Sequence, residues 1–139
     1  MAVGLMLGGH SWYQIGSGDF LHCFFSTVCY RLEANSWGSK YPLFMNKLYH
    51  EALEKEDNEK LLEEVKSIHK AFEDFSPDNV VWDVEDLSKQ PPWGTNIDPS
   101  ITSLANYFVT SNGVDLFFLF YSALNSAIQD DYDVKIISL

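Results

Sequence analysis

The chain predicts an α+β fold: a small, mostly antiparallel sheet packed against several helices in a single domain. Three observations carry that expectation. Short apolar runs open and close the chain (AVGLML at 2–7, VKIISL at 134–139) and read as strands. Between them, four stretches repeat apolar residues at helical spacing. The elements never settle into a regular strand–helix alternation, which argues against a parallel sheet. The length of 139 residues suits one domain, since domains commonly run to about 100–150 residues.

Residues 2–7, bounded by Gly8-Gly9, predict a buried strand. Ser17 or Asp19 is placed to cap a helix over 19–33, with Phe20, Leu21, Phe24, Val28 and Leu32 on its inner face. A loop follows at Asn35-Ser36-Trp37-Gly38-Ser39. Pro42 suits a first helical turn, and Phe44, Met45, Leu48, Tyr49 and Ala52 keep helical spacing after it. Residues 57–75 give the cleanest periodicity. Leu61, Leu62, Val65, Ile68, Phe72 and Phe75 line one face, and Glu59, Glu63, Lys66, Lys70 and Asp74 the other. Ser76-Pro77-Asp78 ends that helix, because proline cannot continue the hydrogen-bond ladder.

Val80, Val81 and Trp82 predict a strand, and residues 85–100 a loop centred on Pro91-Pro92-Trp93-Gly94. Residues 105–110 (ANYFVT) predict another strand, with a turn at Asn112-Gly113. A helix over 115–128 then faces Phe117, Phe120, Tyr121, Leu124 and Ile128 inward, with Asp115 favourably placed at its start. Phe118 and Leu119 lie beside that stripe. Burial on two sides is the expectation for them; exposure would offer a partner an apolar patch.

Composition narrows the function classes. Apolar residues make up 46% and aromatics 15%, more than a disordered chain carries. Twenty acidic residues against nine basic ones set the net charge at −11. Nucleic acid and anionic lipid are bound through Lys and Arg, so neither is an expected partner, whereas basic protein surfaces are. Between residues 51 and 100, 14 acidic and 5 basic residues give −9 of that total. Cys23 and Cys29, six apart on a helix, point to different faces. They predict buried free thiols, which suit a reducing cytosol. The N-terminus lacks a basic n-region and an apolar run of signal-peptide length, and no stretch of 18 apolar residues occurs. A cytoplasmic location is the expectation.

Motifs of catalysis are missing. The sequence holds no Gly-rich phosphate loop with its lysine, no HExxH, no CxxC and no GxSxG. His10, His22, His50 and His69 are scattered without metal-ligand spacing, so neither a metal nor a cofactor is predicted. Asp83, Glu85 and Asp86 form an acidic cluster after the strand at 80–82. Such a cluster is a solvated loop, a docking site for a basic partner, or a site for acid–base or metal chemistry. Trp37 and Trp93, each followed by glycine in a loop, either fold over the domain edge or face a partner. Carboxylates beside aromatics suit a protein-binding site. Asp83, Glu85, Asp86, Trp93 and Trp37 are therefore the candidate contact residues.

Three stretches, WGSKYPLFMNKLY (37–49), VVWDVEDLSKQPPWGTNI (80–97) and ITSLANYFVTSNGVDLF (101–117), resemble the immunity protein 70 family of bacterial polymorphic-toxin and contact-dependent inhibition loci. The matching positions are Trp37, Gly38, Tyr41, Pro42, Trp82, Asp83, Glu85, Asp86, Pro91, Pro92, Trp93 and Gly94. The resemblance implies a cytosolic α+β protein without catalytic residues. It would bind the C-terminal domain of a cognate toxin, in many such loci a nuclease with a basic cleft, and block it stoichiometrically. Two other readings of the residues stay open. One is a small metal-dependent hydrolase pairing these carboxylates with His10 or His50; the other is a homo-oligomeric scaffold using the C-terminal helix. Self-association is not decided by the sequence.

Overall fold

The computed structural model describes residues 2–9, 11–50, 53–94 and 97–139. His10 and Ala52 lie outside them. Among the described residues, β1 (Ala2–Leu7), β2 (Ser11–Ser17) and β3 (Val134–Ser138) form one antiparallel sheet in the order β2-β1-β3. Helix α1 (Gly18–Thr27) follows β2 and runs on through a π turn over Val28–Leu32. A π-helical segment covers Leu43–Leu48, and α2 (Asn58–Phe72) and α3 (Leu116–Asp130) complete the helical layer. The α+β architecture is as expected. None of these helices is long and apolar enough to cross a membrane.

Helices α1 and α3 start where their caps stand. Ser17 Oγ accepts from Phe20 N–H at 3.0 Å, and Asp115 Oδ1 accepts from Phe117 and Phe118 N–H at 2.9 and 3.2 Å. Each satisfies amides that the first turn leaves without a helical partner. Phe24 is fully buried and meets Phe44, Phe72, Phe108, Phe117 and Phe120 at ring-centroid distances of 4.9–5.9 Å. That aromatic cluster joins α1, α2, α3 and the 43–48 segment, and most of its pairs are edge-to-face, as ring quadrupoles favour. Cys23 and Cys29 are free and buried, and burial pushes the Cys23 thiol up to about 12.

Four expectations need correction. The first strand pairs with β2, where no strand was predicted. Trp12, Gln14 and the bulge at Val3/Gly4 make β2 an irregular edge, recognisable only by its pairing. Residues 80–82 join no sheet. Val81 N–H instead donates to Thr27 Oγ1 at 3.0 Å, while the single hydroxyl proton of Thr27 is shared between Cys23 O at 2.8 Å and Val81 O at 3.2 Å. One α1 threonine thus takes up the amide that a neighbouring strand would have paired. Residues 105–110 are no strand either. A 3-10 turn over Leu104–Asn106 is capped by Ser103, and only Val109 bridges, to Asp115. Phe118, finally, is 64% exposed, while Leu119 is buried as expected.

Candidate functional site

The acidic loop is built from turns that its own side chains close. Asp83 Oδ1 accepts from Glu85 N–H at 2.9 Å, and Asp86 N–H donates to Asp83 O at 3.1 Å. Asp86 Oδ1 in turn accepts from Ser88 N–H at 3.2 Å and from Ser88 Oγ at 2.6 Å. Aspartate favours such turns because its carboxylate reaches a backbone amide two residues on. The Ser88 hydroxyl and amide hold the Asp86 carboxyl below its ordinary value. Glu85 and Asp86 are exposed, whereas the Asp83 side chain is 19% exposed and lies 3.7 Å from Lys89 Nζ.

Trp93 ends this loop. Its Nε1–H donates to Tyr107 Oη at 2.6 Å, and its ring meets Trp82 edge-on at 5.4 Å. These two contacts fix the indole while leaving it 43% exposed. It borders a hollow of about 290 Å³ walled by Phe20, Ile101, Tyr107 and Val109. Burial raises the Tyr107 phenol, which the bond from Trp93 partly offsets.

Trp37 is held differently. The buried carboxylate of Glu33 accepts from Gly38 N–H at 3.0 Å and from Lys40 and Tyr41 N–H at 2.9 Å each. A carboxylate with three backbone donors folds residues 33–41 into a tight loop. Gly38 sits at φ +77°, and a Cβ there would run into the Asn46 side chain, so only glycine fits. Trp37 Nε1–H then donates to Met45 O at 3.0 Å, and the ring packs 5.2 Å from His50 and 5.5 Å from Tyr49. Trp37 is half-buried.

A cavity of about 340 Å³ lies beside it, lined by His22, Cys29, Trp37, Tyr49, His50 and Glu85 among others. Burial, then the charge of Glu85, raises the Tyr49 phenol. Beside this cavity, one ring nitrogen of His22 and one oxygen each of Asp83 and Glu85 lie within 4.8 Å of one another.

The fold therefore divides the five candidate residues. Trp37 and Glu85 share one cavity, Asp83 braces Glu85 from the interior, Asp86 faces solvent, and Trp93 borders a separate hollow. His50 lines the cavity, but the histidine that reaches the carboxylates is His22, which sequence spacing did not single out. It comes from α1, and only tertiary packing joins the two segments. A further apolar surface was the less expected of two readings for Phe118, and its extension onto β2 was not foreseen. Trp12 (54% exposed), Val114 and Phe118 surround a hollow of about 380 Å³ beside the edge strand β2. Its one sequence signal was the aromatic at position 118.

A family model described as immunity protein 70 matches residues 8–136 of the chain. No curated protein and no solved structure matches it.

Proposed function

The chain belongs to the immunity protein 70 family, and from that premise we propose that it neutralises a cognate toxin domain by stoichiometric binding, without turnover. The observation that carries this reading is the loop over 83–93. It sets two exposed carboxylates and a half-exposed indole on turns already closed by internal hydrogen bonds. A surface ordered before encounter pays less conformational entropy on binding, and an aromatic anchor ringed by polar groups is the usual centre of an interface. Glu85, Asp86 and Trp93 are the proposed contacts. Asp83 closes the turn that presents Glu85 and Asp86, and Trp37 lines the cavity that Glu85 borders.

The proposed partner is a basic toxin domain of nuclease type, met in the cytosol. A net charge of −11 attracts a cationic cleft and competes there with nucleic acid. The test is calorimetric titration with the C-terminal domain of the toxin encoded beside this protein. Tight one-to-one binding that weakens with salt is expected. Glu85→Lys with Asp86→Lys should cost well over about 1 kcal/mol, and Trp93→Ala a similar amount. Failure of a folded partner to bind refutes the proposal, whereas full affinity in the charge-reversed protein moves the contact off this loop.

The exposed Phe118, Trp12 and Val114 favour a second reading, in which this face joins two copies of the chain. A monomer in sedimentation at high micromolar concentration, unchanged by Phe118→Ser, would dismiss it.

A further inference from the structure

We propose that His22, Asp83 and Glu85 form a binding site for a divalent first-row transition cation, with Zn²⁺ as its best fit. The three donors come from two elements far apart in sequence, α1 and the loop after residue 82, yet their ligand atoms converge within 4.8 Å. One imidazole and two carboxylates make a mixed nitrogen–oxygen set. Such a set suits Zn²⁺ and its neighbours better than Mg²⁺ or Ca²⁺, which prefer oxygen alone.

Two of the three donors are positioned before any ion arrives, and the third, Glu85, is exposed on an ordered turn. His22 sits within α1 and its Nδ1 lies 3.4 Å from the buried Ser26 Oγ, the kind of second contact that orients a ligating ring. The Glu85 backbone N–H bond to Asp83 Oδ1 fixes the Asp83 carboxylate and the Glu85 main chain, and it leaves Asp83 Oδ2 and both Glu85 side-chain oxygens for a cation. The cation that the structure pairs with Asp83, Lys89 Nζ, stands 3.7 Å away on a side chain that is 58% exposed. A contact so long and so solvated compensates two neighbouring carboxylates poorly, and a metal ion displaces it readily.

Three protein ligands leave coordination positions over. His22 and Glu85 line the 340 Å³ cavity, so those positions open onto a space bordered by Cys29 and His50. Water fills them in the isolated protein. The ion clamps the loop carrying Glu85 and Asp86 to α1, which adds stability by binding the folded chain alone.

The experiment uses the full chain, stripped with chelator, in the absence of any toxin, so its outcome is independent of the immunity reading. Zn²⁺ is titrated calorimetrically, and thermal unfolding is followed with and without the ion. One saturable equivalent is expected, together with a rise in melting temperature. His22→Gln and Glu85→Gln should each weaken binding by at least about tenfold, while melting like the parent in chelator. Two results would overturn the proposal. One is the lack of saturable binding up to about 100 μM free Zn²⁺. The other is undiminished affinity in the triple variant His22→Gln, Asp83→Asn, Glu85→Gln, which assigns the ion to other donors.

Discussion

Replacing Glu33 by glutamine changes one oxygen into an amide nitrogen at a position only 4% exposed. The carboxylate accepts from three backbone donors, Gly38 through Oε1 and Lys40 and Tyr41 through Oε2. Glutamine best keeps its oxygen at the Oε2 site, and its NH₂ group then faces Gly38 N–H, donor against donor. Hydrogen bonds to a charged acceptor are worth about 1.5–3 kcal/mol and neutral ones about 0.5–1.5 kcal/mol. The substitution therefore loses one strong bond and weakens two. Relief from burying a charge offsets part of that loss, which leaves a net destabilisation of about 2–4 kcal/mol. For 139 residues, unfolding entropy scales so that 1 kcal/mol shifts the melting temperature by about 3 °C. A fall of about 6–12 °C is expected, read by calorimetry and by urea unfolding with unchanged m-value. The Trp37 loop should loosen with it, raising amide exchange at Gly38, Lys40 and Tyr41. A fall below about 2 °C, with these amides still protected, would refute the view that this carboxylate organises the loop.

Phe24→Ala empties the centre of the aromatic cluster and should cost about 3–5 kcal/mol in denaturant unfolding; a cost under about 2 kcal/mol would mean that the neighbouring rings collapse into the space. Ser88→Ala removes the largest cause of the depressed Asp86 pKa. Asp86 is ionised to lower pH in the folded chain than its ordinary 3.8, so any stability it contributes is present above that value and fades as pH falls through the folded one. NMR titration of the variant should show the carboxyl moving up toward 3.8, and an unmoved value would contradict the hydrogen-bond assignment.

Helical periodicity is a local property, so α1, α2 and α3 were legible from the chain, with Ser17 and Asp115 at their caps. So were the first and last strands, whose apolar runs are short and bounded. The net charge and its concentration in the middle of the chain needed only counting. The acidic loop was visible as composition, since Asp83, Glu85, Asp86 and Trp93 lie within eleven positions of one another.

Partnership between distant segments is another matter. Residues 80–82 have the apolar, β-branched character of a strand, but a strand exists only where a neighbour supplies its hydrogen bonds, and here the Val81 amide goes to Thr27 Oγ1 instead. β2 is the reverse case: an irregular segment that becomes a strand because β1 lies beside it. The exposure of Phe118 depends on how α3 is rotated against its neighbours, which its own all-round apolar pattern leaves undetermined. The meeting of His22 with Asp83 and Glu85 spans about sixty residues of chain. Composition and periodicity are sums over neighbours in sequence, and they settled the fold class, the helices and the charge. Which polar groups converge, and which aromatics stay in water, was decided by packing in three dimensions.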